Sequence, residues 1–246
     1  MVIDAWSINL LVNQVIEYYN MLKNGFDITK MKNPSYIDYI LSEEEYKYSE
    51  KFKKNKDFWN NKFHTTPECT SLKQHVAGYI DTKAERKTFI VPEELSLKIR
   101  NFCKQYTKSA FSLFMSVMYI YIYRITMKKD IVLGTPILNR SNIKEKETFG
   151  MFISTIPVRM TVDENLSFNE YIEMVSKELM LFLKNQKYPF ELILRDFRET
   201  NNTSDSLYDV VVSYQNASLD KTTYLENYKG RWHFNENQVS IKAGCP

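Results

Sequence analysis

The apolar residues in the first third of the chain recur at helical spacing. One stripe, with apolar residues three or four positions apart, runs from Ile8 to Leu22 and predicts a helix with a buried face. Gly25 follows as a plausible end cap, and either Asp4 or Ser7 is placed to cap the helix start. The plain interpretation of Asp4 is therefore an N-cap.

A charged helix is predicted next, ending at about Phe63. Ser42 and Glu45 have the spacing of a capping box at its start. The stretch 65–84 then shows no regular periodicity and contains Pro67, so we expect it to be a connecting segment.

The middle of the chain begins with a predicted strand from Lys87 to Val91, after which Pro92 opens a helix. The buried face of that helix is expected to consist of three residues: Leu95, Ile99 and Phe102. A second helix follows Ser109 and is apolar nearly all round, which favours a central position. Its apolar stretch 110–123 is shorter than the ~20 residues that a membrane span needs.

Two β-branched runs within residues 131–159 predict a pair of strands joined by a polar loop over 141–148. Gly134 and Pro136 favour a sharp turn where the first run ends. Arg140 comes just after this run. A lone cation in that position reaches either water or a carboxylate.

The last third alternates between helical and strand patterns. A helix is predicted to run to about Lys184, and its start shows both a capping box and a hydrophobic staple, formed by Leu166, Ser167, Glu170 and Tyr171. Pro189 is expected to end one helix and begin the next. Strands are predicted at Leu207–Tyr214 and around 232–234. The whole pattern indicates a mixed α/β fold.

The composition excludes several classes of protein. The 246 residues suffice for one large domain or two small ones, and 43% hydrophobic with 26% charged residues is ordinary for a globular chain. A net charge of +3 is too small to argue for nucleic acid or an anionic membrane. Three widely spaced cysteines form neither a disulfide framework nor a zinc site. With no visible signal peptide, we expect a cytoplasmic protein that binds no metal.

The paired strands carry two motifs with characteristic spacing. The first reads G-T-P-x-x-x-R, and the second reads G-x-F-x-x-T-x-P-x-R. Their residues are Gly134, Thr135, Pro136 and Arg140, then Gly150, Phe152, Thr155, Pro157 and Arg159. In this order the pair closely resembles two motifs of the condensation domains of nonribosomal peptide synthetases. Two spacings in the right order are far more specific than one short motif.

Further matches extend the resemblance from Met1 to about Tyr214. Asp4 matches the aspartate of the family's H-H-x-x-x-D-G motif, with Ala5 in place of glycine, so the two histidines are expected immediately before Met1. The segment 185–191 matches the family's H/N-Q-D-Y-P-F-E element, with Lys187 in place of aspartate. The second histidine is the residue that the family assigns to the reaction. We do not expect any of the chain's own three histidines to replace it: His64, His75 and His233.

The resemblance implies a chloramphenicol acetyltransferase-like fold with two lobes and a tunnel between them. Residues 1–64 would form the end of the first lobe, 65–84 the connection, and 85–246 the second lobe, truncated before its last strands. Asp4 would pair with Arg140 as a buried scaffold. The resemblance also implies a set of substrate-tunnel residues: Ser7, Gly150, Ser154 and Gln186.

The function implied is the formation of an amide bond between an acyl or peptidyl thioester and an aminoacyl thioester. Both are carried on phosphopantetheine arms of carrier domains, in a synthetase that also contains an adenylation domain, and no cofactor is bound directly. Without the motif histidines, the 246-residue chain is predicted to be inactive.

Three alternatives remain open at this point. The chain could be a non-catalytic remnant or interaction module of the same fold, or an epimerisation domain of the same superfamily. The G-T-P-x-x-x-R and N-Q-x-Y-P-F-E elements favour the condensing branch over epimerisation. A cyclising domain would have a second aspartate in place of the histidines, at a position that precedes Met1.

Overall fold

A four-stranded mixed sheet lies at the centre of the computed structural model, which describes residues 3–29, 33–68, 72, 85–215 and, through the backbone alone, 238–243. The strands are β1 (Asp130–Ile137), β2 (Ser154–Thr161), β3 (Val210–Gln215) and β4 (Gln238–Ala243). Their spatial order is β2-β1-β3-β4. Strand β1 runs antiparallel to β2 and parallel to β3, and β3 is antiparallel to β4. The predicted connection at 69–84, apart from residue 72, and the predicted strand around 232–234 lie outside the described residues.

Eight helices surround the sheet in the described part of the chain. They are α1 (Ala5–Lys23), α2 (Tyr36–Lys47), α3 (Glu50–Lys62), α4 (Glu93–Gln105), α5 (Ala110–Thr126), α6 (Ile143–Glu147), α7 (Phe168–Lys184) and α8 (Phe190–Asn201). The predicted capping box of α7 is confirmed at Ser167 and Glu170, as is the end of that helix at Lys184. Pro189 precedes the first residue of α8, as predicted, and Gly25 has a φ of 80° just beyond α1.

The hydrophobic core lies between the sheet and helices α5 and α7. On α5, Met115, Tyr119 and Ile122 are fully buried, which confirms its central position. Trp59 of α3 belongs to the same cluster and donates its indole N–H to the carbonyl of Asn185 over 3.0 Å. Helix α3 therefore packs directly on the elements around the sheet.

The predicted start of the charged helix at Ser42 is wrong. Ser42 lies inside α2 and donates its hydroxyl to the Tyr39 carbonyl over 2.7 Å. The charged segment is two helices, which begin after Ser35 and Ser49, and each of these serines accepts a backbone N–H with its side chain. Caps at Ser35 and Ser49 thus take the place of the box that the spacing of Ser42 and Glu45 suggested.

Two expectations around the strand pair are also wrong. Gly134 and Pro136 lie within β1, in register with Pro157 and Thr155, because the fixed φ of proline fits an extended strand at the cost of one ladder hydrogen bond. The polar loop contains a short helix, α6, whose N-cap Asn142 accepts the N–H of Glu145.

The predicted strand Lys87–Val91 has no ladder partner among the described residues and is not a strand. Phe89 and Ile90 are 85% and 91% exposed, because β-branched and aromatic residues form a strand only where a neighbouring strand accepts their backbone groups. The face of α4 expected to be buried is at most half-buried, and Leu95 is exposed.

Helix α1 has the predicted bounds, but its apolar stripe is not buried among the described residues. Ser7 is its one buried residue. The exposed apolar side chains are Ile8, Leu11, Val12, Val15, Tyr19 and Leu22. The helix is therefore attached to the fold mainly through its first turn, where the candidate site lies.

Candidate functional site

The guanidinium of Arg140 lies at the centre of the candidate site, just beyond the end of β1. Its Nη2 donates to both carboxylate oxygens of Asp4, over 3.1 and 3.2 Å. The side chains of Arg140 and Asp4 are 0% and 2% exposed. Of the two environments that the sequence left open for this cation, the structure shows a buried carboxylate.

The remaining hydrogen bonds of Arg140 join three segments of the chain. Nη2 also donates to the Ser7 hydroxyl over 3.0 Å and to the Gly150 carbonyl over 3.2 Å. Nη1 donates to the carbonyls of Thr148, over 2.7 Å, and of Glu145 at the end of α6. One guanidinium thus holds the start of α1, the helix α6 and the segment that leads into β2. We refer to Asp4, Ser7, Arg140 and Gly150 as the Arg140 hub.

Asp4 is both an N-cap and an ion-pair partner. One carboxylate oxygen accepts the N–H of Ser7 over 2.9 Å, and the other accepts the N–H of Phe152 over 3.0 Å. Burial disfavours its charge, but these two N–H groups and the Arg140 guanidinium outweigh that effect and lower the pKa of Asp4. The two interpretations of Asp4, helix cap and buried scaffold, describe the same residue.

Gly150 has no room for a side chain. A Cβ on it would lie 2.1 Å from a ring carbon of Tyr36. The carbonyl of Gly150 accepts a hydrogen bond from the Ser7 hydroxyl over 2.8 Å. The backbone N–H of Gly150 donates to the hydroxyl oxygen of Ser7 over 3.0 Å. Close approach of the backbone at this position, the role of a glycine in such a strand pattern, is what the structure shows.

An aromatic layer lies under the hub. The Phe152 ring centroid is 3.8 Å from the Arg140 Cζ and 4.1 Å from the ring centroid of Tyr39. Tyr36 stacks on Tyr39 and donates its hydroxyl to the carbonyl of Met151 over 2.7 Å. Helix α2 is thereby held against the segment before β2, and the guanidinium is covered by an aromatic face, a favourable cation–π arrangement.

Sequence reasoning missed the ionic contacts around α6. The ammonium of Lys187 lies 3.0 Å from the carboxylate of Glu145, and these side chains are 13% and 14% exposed. Trp6 of α1 donates its indole N–H to the carbonyl of Lys146 over 2.8 Å. The sequence did contain one sign of these contacts, since Lys187 occupies a position where the family has aspartate. Its partner could not be predicted because α6 was expected to be a loop.

The other predicted site residues lie apart from the contacts of Arg140. Ser154 is the first residue of β2, opposite Ile137, and is half-buried. Gln186 is half-buried just after α7. Neither is among the hydrogen-bond partners of the hub described above, and their tunnel role stays a prediction. Among the three histidines, His64 is exposed at the end of α3, and the other two lie outside the described residues.

Arg159 forms a second ionic cluster at the opposite end of the strand pair. Its Nη2 is 2.5 Å from the carboxylate of Asp130, and its Nη1 donates to the carbonyls of Lys62 and Thr65 over 2.9 and 2.7 Å. These residues line a shallow, open cavity of about 380 Å³ together with Asn61, His64 and Thr161. The contacts attach the end of α3 to the sheet.

Within the described ranges, no group of three or more His, Cys, Asp or Glu side chains is placed to hold a metal ion. None of the described helices has the length and apolar character that crossing a membrane requires. The described thiol, Cys103, is half-buried, and burial raises its pKa, which disfavours the reactive thiolate.

Comparisons with known proteins agree on one family. A sequence model described as "Condensation domain" matches residues 1–244. Surfactin synthase subunit 1 of Bacillus subtilis (strain 168) is 39% identical over 212 residues, which cover 86% of this chain and 6% of that protein. A plipastatin synthase of the same organism is 33% identical over 220 residues, which cover 87% of this chain and 8% of that protein. The chain thus spans less than a tenth of the length of these relatives.

Solved structures show the same fold. The first condensation domain of the calcium-dependent antibiotic synthetase, in complex with a substrate analogue, superposes with a TM-score of 0.71 at 19% identity, over 87% of this chain and 55% of that one. A condensation domain from the Monacolin K polyketide synthase gives 0.68 at 13% identity, over 98% and 62%. This fold is the chloramphenicol acetyltransferase-like α/β fold expected from the motifs. Because the family model matches residues 1–244, the chain belongs to the condensation domain family of the nonribosomal peptide synthetases.

Proposed function

We propose that this chain forms part of a condensation domain that joins two carrier-bound thioesters through an amide bond. The observation that carries this proposal is the Arg140 hub, in which the motif residues Asp4 and Arg140, 136 positions apart, meet in a buried ion pair. A buried ion pair holds its two segments together, because separating them would leave each buried charge without a partner.

The hub fixes the chain just after the position of the motif histidines. In H-H-x-x-x-D-G, only three residues separate the second histidine from the aspartate, and Asp4 is held by hydrogen bonds from Ser7, Phe152 and Arg140. A segment that leads into Asp4 is therefore anchored within a few residues of the histidines. Such anchoring is what a positioned catalytic group requires.

The proposed reaction is aminolysis of a thioester. The amine nitrogen of the acceptor attacks the thioester carbonyl carbon of the donor, the C–S bond breaks, and the donor arm leaves as a thiol. The amine loses one proton, and an imidazole with a pKa near neutrality is suited to assist this transfer. In the family the second motif histidine has that role, and Arg140 and Asp4 act here as its scaffold.

The substrates and partners follow from the same proposal. Phosphopantetheine arms of two carrier domains would deliver the thioesters, and an adenylation domain of the same synthetase would load a carrier, in the cytoplasm. The division into 1–64, 65–84 and 85–246 belongs to the proposal, as does a tunnel role for Ser7, Gly150, Ser154 and Gln186. Of these four, Ser7 and Gly150 are buried in the hub. Any such division must accommodate Trp59 of α3, which packs in the core beside the sheet.

A hybrid protein tests this function. The segments that flank the matching region in surfactin synthase subunit 1 are joined in front of Met1 and behind Pro246, with two histidines placed immediately before Met1. Loaded carrier domains are then supplied, and the dipeptidyl thioester is measured by mass spectrometry. We expect product from the hybrid and none above background from the 246-residue chain alone.

Two control variants test whether product formation depends on the motif histidine. Alanine in place of the second motif histidine of the added segment should abolish product, and Asp38→Asn, which alters an exposed carboxylate on α2, should not. Product from the 246-residue chain alone, or unchanged product after loss of that histidine, would contradict the proposed mechanism. A folded hybrid that makes no product would favour the remnant or interaction module instead.

A further inference from the structure

We propose that Lys187 is a positioning residue for Arg140, and that it holds the hub in place through α6 and through the aromatic layer. Its functional part rests on the proposed function, but its structural part does not. Lys187 lies 47 positions from Arg140 along the chain, yet three separate contacts of its ammonium lead back to that guanidinium.

The shortest of the three routes is through the backbone next to Arg140. Lys187 donates to the carbonyl of Asn139 over 3.1 Å. Asn139 has a φ of 52°, a left-handed conformation that asparagine tolerates better than most residues. Its carbonyl is therefore held in an uncommon direction immediately before the residue whose side chain forms the hub.

The second route is through α6. Lys187 pairs with Glu145 at 3.0 Å, and the backbone carbonyl of the same Glu145 accepts from Arg140 Nη1. A helix of five residues has little stability of its own, since the cost of its first turn is not repaid by further turns. Its position is therefore set by its tertiary contacts, and the ion pair is a part-buried one among them.

The third route is through the aromatic layer. The ammonium of Lys187 lies 5.2 Å from the ring centroid of Tyr39, on the scale of a cation–π contact. Tyr39 packs on Phe152, and Phe152 lies directly against the Arg140 guanidinium. Lys187 thus contacts one ring of this packed pair, and Arg140 contacts the other.

The chain offers both a matched control and a reporter. Lys144 is on the same helix α6 and pairs with Asp38 at 3.1 Å, but their side chains are 63% and 54% exposed. Trp6 joins α1 to α6 through the Lys146 carbonyl, over 2.8 Å. The indole N–H resonance of Trp6 therefore reports on the contact between α1 and α6, and its position in Lys144→Met is the reference.

The test compares Lys187→Met with Lys144→Met in the 246-residue chain. We expect Lys187→Met to lower the Tm by about 5–10 °C, as loss of a part-buried ion pair should in a chain of this size, and Lys144→Met by less than about 2 °C. Lys187→Met should also shift the Trp6 indole resonance further than Lys144→Met does. The conservative variant Lys187→Arg keeps the positive charge and the donors for Asn139 and Glu145, so it should lose less than half as much.

A second comparison tests whether the stabilising effect of Lys187 depends on the ion pair between Asp4 and Arg140. In an Asp4→Asn background, Lys187→Met should cost less than half of its wild-type Tm shift, while Lys144→Met should cost the same in both backgrounds, because contacts within one network are not additive. Equal costs in the two backgrounds, or an unmoved Trp6 resonance, would overturn the proposal. If Lys187→Met does not fold, Lys187→Arg decides: a folded Lys187→Arg protein supports the proposal, and one that also fails to fold overturns it.

The functional consequence is measured in the hybrid protein described above. Lys187→Met should lower kcat for amide formation with little change in KM for the carriers, since the substrates do not touch Lys187 in this proposal. Lys187→Arg should retain at least half of the wild-type kcat. A hybrid that forms no amide at all, with the Tm and Trp6 results as expected, would remove the proposed function and leave the role of Lys187 at Arg140 intact.

Discussion

Asp4 is both a helix cap and an ion-pair partner, and losing each role would change the free energy of unfolding by a different amount. A helix cap contributes about 1 kcal/mol, whereas loss of one partner of a buried ion pair costs about 3–5 kcal/mol. Its carboxylate meets three donors that are themselves fixed in place: the N–H groups of Ser7 and Phe152 and the Arg140 guanidinium. A substitution that keeps the cap and removes the charge therefore separates the two contributions.

Asp4→Asn is that substitution, because asparagine caps helices about as well as aspartate. We expect a loss of about 3–5 kcal/mol in the free energy of unfolding, since Arg140 would keep its charge in a buried site without a carboxylate. Urea denaturation followed by circular dichroism measures it. Asp38→Asn is the control, because its pair with Lys144 is exposed and should contribute under about 1 kcal/mol. A loss no larger than that of the control would mean that Asp4 acts as a cap alone.

The same carboxylate gives the stability a pH dependence of known sign. The folded state lowers the pKa of Asp4 below the value of about 3.9 in an unfolded chain. Its contribution is therefore complete above that pH and is lost as the pH falls through the folded pKa. We expect the free energy of unfolding of Asp4→Asn to fall less steeply below pH 4 than that of the wild type. Asp196, whose pKa is also lowered, retains its own acid dependence in both proteins, so parallel curves would contradict the assignment to Asp4.

At the scale of elements, Tyr36 of α2 can pack against Gly150 because glycine has no side chain. Gly150 is outside the left-handed backbone region, so alanine is acceptable for its backbone, but the added Cβ would overlap the Tyr36 ring. We expect Gly150→Ala to cost about 1–3 kcal/mol or more by overpacking. In a Tyr36→Ala background the cost should fall below about 1 kcal/mol, because the clash is gone. Equal costs in the two backgrounds, measured by urea denaturation, would refute this explanation of the glycine.

A helix or strand was easiest to predict from sequence where its signal lies within the element or next to it. The box at Ser167 and the proline at 189 act on their own helices, and both predictions were confirmed. The spacing of Ser42 and Glu45 was equally local, but the helices begin after the capping residues Ser35 and Ser49 instead. Helix α6 was missed because five residues, four of them charged, show no periodicity.

The candidate site was partly predictable for the same reason. Asp4 and Arg140 were expected to pair on the strength of the motifs, and the structure places them in contact. The contacts of Lys187 with Asn139 and Glu145 join segments more than 40 positions apart through a helix that was not foreseen. Sequence spacing within a segment carries no information on such contacts.

At the scale of the whole molecule, burial of an apolar stripe depends on what lies opposite it. The stripe of α1 has helical periodicity, but in the described structure Val15 and Tyr19 remain 58% and 52% exposed. Contiguous apolar surface of this kind is uncommon on a monomeric soluble protein and favours association. The core around the sheet does not depend on this face, since α1 buries Ser7 alone.

The stripe of α1 should therefore control self-association without affecting the stability of the fold. The double variant Val15→Lys and Tyr19→Lys places two charges on the apolar face, and Asn13→Lys with Asn20→Lys places the same two charges on exposed polar positions of the same helix. We expect the first pair to shift the 246-residue chain towards monomer in sedimentation velocity runs, and the control pair to leave the distribution unchanged. The Tm of both should stay within about 2 °C of the wild type, because neither removes a buried contact. If both variants dissociate the chain equally, net charge rather than the apolar face drives the association.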